Sequence, residues 1–114
     1  MLKKKRTESI KYPGIRMAMD GNSAVIMCER EASDAAGAYP ITPSTEGAEL
    51  MAKLLPQLDG VFVQAVSEVA TINMMYGCSG AGLHCMSFTS SPGMSLMIEG
   101  ISYMVGAELP AVVV

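Results

Sequence analysis

Apolar and polar positions change their spacing about every dozen residues along this chain, and each change marks an element. "GNSAVIMCEREASDAA" opens on Asn22, a good capping residue, and predicts a helix to about Ala35. "AGAYPIT" is short and apolar, and Pro40 pushes the residue before it into extended backbone. In "PSTEGAELMAKLL" the side chains of Leu50, Met51, Leu54 and Leu55 fall on one helical face, with Pro56 near the end. "GVFVQAV" is a β-branched run behind a glycine, which predicts a buried strand. "SEVATINMMYGCSG" places Val69, Ile72 and Tyr76 on one stripe and reads as a helix, with Gly77, Gly80 and Gly82 as its C-cap and turn. "HCMSFTS" predicts a third strand, "PGMSLMIEGISYMVGA" a helix entered through Pro92, and "PAVVV" a fourth strand.

Strands that alternate with helices of this length demand right-handed crossovers, hence a parallel sheet with helices on both faces, an α/β fold. With 114 residues the chain makes at most one domain, expected over 21–114 and preceded by a basic arm over 1–20. The last strand has no helix after it. The expected layer is therefore truncated, either because the chain is a fragment or because another polypeptide finishes the sheet. Half of the residues are hydrophobic, so a packed core is expected, and eleven Met with no Trp give it soft side chains suited to meeting a second surface.

Charge narrows the partners. Six of the eight basic residues (Lys3, Lys4, Lys5, Arg6, Lys11 and Arg16) precede residue 17, leaving Arg30 and Lys53 against ten acidic residues. The basic group reads as a solvated tail, and no aromatic residues are interleaved to stack on bases, so no nucleic-acid partner is expected. Glu99 and Glu108 interrupt the long apolar stretch, which argues against a membrane span, and the amino-terminal charges lead into polar residues with no signal-peptide apolar region. A cytoplasmic location is expected, with Cys28, Cys78 and Cys85 as buried reduced thiols. No CxxC pair exists, so neither a structural zinc nor an iron–sulfur cluster can be assembled from this chain, and His84 reads as a packed or edge histidine.

In parallel sheets ligands sit where strands end and helices begin. Three such junctions are present: "ITPST", "VSEVA" and "TSSPG". At the first, Thr42 fits the cap and Pro43 the opening helical position, which explains both without a ligand; alternatively the prolines lock the loop so that Thr42 and the backbone near Ile41 face something bound. At the second, Ser67 caps and Glu68 falls in the first turn, where the helix dipole favours a carboxylate. The functional alternative is a semi-buried carboxylate able to hold or share a proton with a heterocycle nitrogen. The third is a strand–turn–helix that lacks the G-x-S-x-G spelling, and the lone His84 falls at the wrong end of its strand, so a hydrolase using Ser90 or Ser91 is disfavoured.

The blocks "AGAYPITPSTE", "QAVSEVATINMMYG" and "TSSPGMSLMIEGISYMVGAELPAVVV" resemble, in order and spacing, the amino-terminal part of the α subunit of 2-oxoacid:ferredoxin oxidoreductases, nearest the 2-oxoisovalerate type. The resemblance implies a thiamine diphosphate enzyme that oxidatively decarboxylates a 2-oxoacid, passes electrons through iron–sulfur clusters on partner subunits to ferredoxin, and transfers the acyl group to coenzyme A. It also implies that the segment is the domain for the cofactor's pyrimidine ring, in which Glu68 bonds the ring nitrogen N1′ and favours the imino tautomer that deprotonates the thiazolium. Pro40, Ile41 and Thr42 would line that ring, Thr42 also approaching the substrate. The Gly-Asp-Gly site for magnesium and diphosphate is absent, so a β subunit is expected to supply it, beside γ- and δ-type subunits. The arginine that grips the substrate carboxylate in the family would follow Val114. The chain is therefore expected to be inactive alone; the competing expectation is a non-catalytic fragment kept for subunit contact.

Overall fold

The computed structural model describes residues 16–114, so the first fifteen residues of the expected basic arm lie outside it. Helix α1 (Gly21–Ala32) leads into strand β1 (Ala35–Ala38), helix α2 (Thr45–Leu54) with a following 3-10 turn (Leu55–Leu58), and strand β2 (Val61–Gln64). Helix α3 (Glu68–Gly80), strand β3 (Cys85–Ser87), helix α4 (Ser91–Gly106) and strand β4 (Val112–Val113) complete it. The four strands are all parallel, in the order β2-β1-β3-β4.

That order explains the faces. The chain moves outward from β1 to β2 through α2, then returns across β1 to β3 through α3 and continues outward to β4 through α4. A crossover that reverses its direction along the sheet keeps its hand only by changing face. Accordingly Ile26 of α1 and Ala48, Met51 and Leu55 pack with Ala36, Ala38, Met86 and Phe88. On the other face Ile72, Met75, Met97 and Met104 pack with Ala35, Tyr39 and Cys85. The alternation of these strand residues is the period of two that a strand imposes. Strand β1 is built of Ala and Gly and is buried throughout, so helices on both sides approach it closely.

Tertiary contacts shift several of the expected local features. The cap of α1 is Asp20, whose carboxylate accepts from the Ser23 amide at 2.9 Å, and the helix stops at Ala32 rather than Ala35. Asn22 instead donates to the Pro43 carbonyl at 3.3 Å. Strand β2 is not buried: as the sheet edge it leaves Val61 56% and Val63 42% exposed, because α3 crosses away from it over β1 and β3. Helix α3 buries Thr71, Ile72, Met75 and Ser79, leaving Val69 and Tyr76 exposed. The rotation follows from α4: a methyl on Gly100 would stand 2.6 Å from Cγ1 of Ile72, so the Ile72 side chain packs directly onto the α4 backbone at that point. Helix α3 runs through Gly77 and Gly80, and only Gly82, at φ +85°, takes the left-handed turn. Cys28 is exposed, against expectation, while Cys78 is half-buried and Cys85 buried, all as free thiols. Among the described residues no helix is long and apolar enough to cross a membrane.

Candidate functional site

Chain direction reverses between the central strands β1 and β3, one leaving toward β2 on one face and the other toward β4 on the opposite face. Such a switch point opens a crevice outside the carboxyl ends of the two strands. The three chemically marked junctions gather around it.

The loop after β1 is tied down on two sides. The Ser44 hydroxyl donates to the Thr89 carbonyl in the loop after β3, and Asn22 holds Pro43. The Thr45 amide donates to the Ile41 carbonyl at 2.8 Å, and the Thr42–Pro43 peptide is cis. Thr42 is consequently not the cap of α2, and Pro43 is not its first residue: Ser44 stands at the cap position and the helix starts at Thr45. The residues that would form the first turn are drawn into contacts with α1 and with the β3 loop. Thr42 is exposed, Ile41 is half-buried against the core under α3 and α4, and Pro40 with Tyr39 lines a depression of about 220 Å³ beside Phe62 and Gln64.

The second junction matches its sequence reading. The Ser67 hydroxyl accepts from the Ala70 amide at 3.2 Å, and Glu68 begins α3 half-buried. Replacing Ser67 by Ala should lower stability by about 1 kcal/mol, read as a shift in the urea midpoint of the full subunit; an unchanged midpoint would mean that solvent caps the helix equally well.

Two residues not singled out in the sequence complete the crevice. The Tyr39 hydroxyl lies 2.8 Å from Oγ1 of Thr89, a buried bond that bridges the β1 and β3 loops across the switch point. The pairing follows from register, since Ala35 stands opposite Cys85 and the same offset carries through to these two. Gly93, in the first turn of α4, is buried beneath them. A methyl there would overlap the Tyr39 hydroxyl and Oγ1 of Thr89 and stand 3.2 Å from Cγ of Glu68. Glycine is what lets the three side chains meet. Burial, above all, pushes the Tyr39 phenol above its ordinary 10.0; the bond to Thr89 opposes the shift and the neighbouring Glu68 carboxylate adds to it. Tyr39 therefore remains a neutral hydroxyl across the physiological range.

The crevice thus offers one carboxylate at a helix N-terminus, two hydroxyls and the apolar side chain of Ile41. Of the described basic side chains, Arg30 and Lys53 sit in the last turns of α1 and α2, the ends that deliver the chain to the opposite edge of the sheet, and Arg16 lies exposed ahead of α1. This donor set fits a heteroaromatic ring with protonatable nitrogens and does not fit a diphosphate, which needs cations. His84 precedes β3 at that opposite edge, exposed and 3.8 Å from Asp34, so it cannot serve Ser90 or Ser91 as a base. Among the described residues no group of three or more His, Cys, Asp and Glu side chains is placed to hold a metal.

The class defined by these features is a parallel α/β domain, helices on both faces, with side chains gathered at a topological switch point. Residues 28–114 match the family described as "Pyruvate flavodoxin/ferredoxin oxidoreductase, thiamine diP-bdg". The chain belongs to that family, the one its three sequence blocks resemble. It is 50% identical over 95 residues to the ketoisovalerate oxidoreductase subunit VorB of Methanothermobacter marburgensis, covering 82% of this chain and 27% of that protein. It is 51% identical over 75 residues to the 2-oxoglutarate synthase subunit KorA of Archaeoglobus fulgidus, covering 66% of this chain and 22% of that protein. The solved structure of 2-oxoglutarate:ferredoxin oxidoreductase from Magnetococcus marinus, with 2-oxoglutarate, coenzyme A and succinyl-CoA bound, matches with TM-score 0.75 at 41% identity over 83% of this chain and 17% of that one. The chain thus spans about a quarter of the curated relatives it matches. At nearly equal identity the ketoisovalerate match extends over 95 residues and the 2-oxoglutarate match over 75, in keeping with the 2-oxoisovalerate type that the sequence blocks resemble, while identity by itself does not select a substrate.

Proposed function

We propose that this chain forms the pyrimidine-side wall of the thiamine diphosphate site in a multi-subunit 2-oxoacid:ferredoxin oxidoreductase, with Glu68 as the proton-handling carboxylate. The observation that carries this reading is the position of Glu68: half-buried, first in its helix, and beside the switch-point crevice. When bound, thiamine diphosphate would supply the electron sink for decarboxylation of a 2-oxoacid, and Glu68, Ile41 and Pro40 would hold its pyrimidine side. Glu68 holds or shares the proton at the pyrimidine nitrogen. Ile41 excludes water from one side of the ring, Pro40 stiffens the loop, and Thr42 presents its exposed hydroxyl toward the substrate.

A β subunit supplies the diphosphate and magnesium contacts, and iron–sulfur clusters on partner subunits accept the electron pair released on decarboxylation and pass it to ferredoxin. Coenzyme A takes the acyl group, and the complex is cytoplasmic. Support for a partner comes from α4, where Met94, Ile98 and Val105 fall on one side of the helix and are 42%, 55% and 72% exposed, an apolar stripe of the kind that marks a protein contact.

Co-expressing the full subunit with its genomic neighbours, purifying through a tag on this chain, and assaying dye or ferredoxin reduction tests the reading. The expected result is a complex whose activity on 2-oxoisovalerate, 2-oxoglutarate or pyruvate requires both thiamine diphosphate and coenzyme A. A complex that assembles and binds the cofactor but oxidises none of a broad 2-oxoacid panel would favour the non-catalytic contact role.

A further inference from the structure

Resting on Glu68 as the proton-handling group, we propose that Tyr39 is a positioning residue: its hydroxyl, braced by Thr89 across the β1–β3 crevice, donates to the Glu68 carboxylate and fixes its direction, in a space that Gly93 keeps open.

The hydrogens settle the direction of the relay. A phenol and a threonine hydroxyl carry one hydrogen each, and only one of the two can lie on the 2.8 Å line between them. The other acceptor near Thr89 is the Ser90 carbonyl at 3.5 Å, at the outer limit of hydrogen bonding. Thr89 therefore donates best to the Tyr39 oxygen. The Tyr39 hydrogen is then left for a third group, and the side chain that shares the space over Gly93 with the phenol is that of Glu68, whose carboxylate also adds to the raised pKa of the phenol. A phenol kept neutral by burial is suited to the task, since it donates and cannot compete for the charge. When Glu68 takes a proton, the Tyr39 hydrogen can turn back toward Oγ1 of Thr89 without the pair losing its bond. The crevice floor makes the arrangement specific: the Gly93 Cα faces all three side chains, and a larger residue would drive them apart.

A purely structural clamp between the two loops would use the same Tyr39–Thr89 bond, so the test must read the carboxylate and not the fold. In the assembled, cofactor-loaded complex, exchange of the cofactor's thiazolium C2 proton for deuterium, followed by NMR after acid quench, needs no substrate and reports on Glu68. Tyr39→Phe should slow exchange about tenfold, the worth of one hydrogen bond, leaving cofactor Kd and substrate KM within about twofold. Thr89→Val should slow exchange comparably and Thr89→Ser should restore it. The double variant Tyr39→Phe/Thr89→Val should be no slower than Tyr39→Phe alone, as expected for members of one relay. Should Tyr39→Phe fail to assemble, the Thr89→Val and Thr89→Ser pair carries the same comparison. Wild-type exchange in Tyr39→Phe or Thr89→Val, or slowing that multiplies in the double variant, overturns the proposal. Glu68→Gln separates the two levels: exchange lost there but intact in Tyr39→Phe removes only the positioning role, whereas exchange retained in Glu68→Gln removes the assignment of Glu68 itself.

Discussion

A complex carrying Glu68→Gln should lose about 10²–10⁴-fold in 2-oxoacid turnover while still assembling and binding thiamine diphosphate. The substitution keeps the shape of the side chain and its place at the start of α3, and removes the charge together with the capacity to hold or release a proton. Loss of the favourable charge at the helix N-terminus should cost about 0.3–1 kcal/mol, too little to unfold the subunit and far too little to account for the expected rate loss. Steady-state kinetics beside a melting curve separate the two effects. Turnover within a fewfold of wild type, at full cofactor occupancy, would show that the carboxylate has no proton role and that its position is explained by the helix dipole alone.

The second large effect is on stability and reaches the same crevice from behind. Phe88 is 1% exposed and packs against α2, where its ring fills the space over Gly47. Its neighbour Thr89 points to the opposite face, toward Tyr39. Phe88→Ala should destabilise the subunit by about 3–5 kcal/mol, the usual sum of lost transfer energy and an uncollapsed cavity. Phe88→Leu, which keeps most of the volume, should cost less than about 1.5 kcal/mol. Urea unfolding of the full subunit in its complex gives both values. Equal, small losses in the two variants would mean that the space closes over and that Phe88 does not pin this end of β3.

Local rules recovered the order of elements because their causes are local. The four strands and four helices appear where the period and the turn residues place them, and the cap at Ser67 and the entry through Pro92 follow from adjoining residues. Glu68 was legible for the same reason, being defined by a strand, a cap and a helix in succession. The misreadings share the opposite cause. Thr42 has the right spelling for a cap, yet Asn22 and Thr89, distant in sequence, hold its loop in another shape. The run Val61–Gln64 has the composition of a central strand, and only the sheet order makes it an edge. Val69 and Tyr76 follow a helical stripe, but close approach at Gly100 turned the helix to bury Thr71 and Met75 instead.

Tyr39 and Thr89 mark the boundary most clearly. Each stands just past a strand end, and nothing in the residues between them announces that they touch. The amino-acid sequence by itself determined the alternating α/β layer, the three strand-to-helix junctions and the placing of a carboxylate at the head of α3, because periodicity, capping and turn chemistry act over a few residues. Only the tertiary structure decided which junctions face one another, which strand lies at the edge and which atoms meet over Gly93, because strand order and register are set by packing between segments that no local pattern connects.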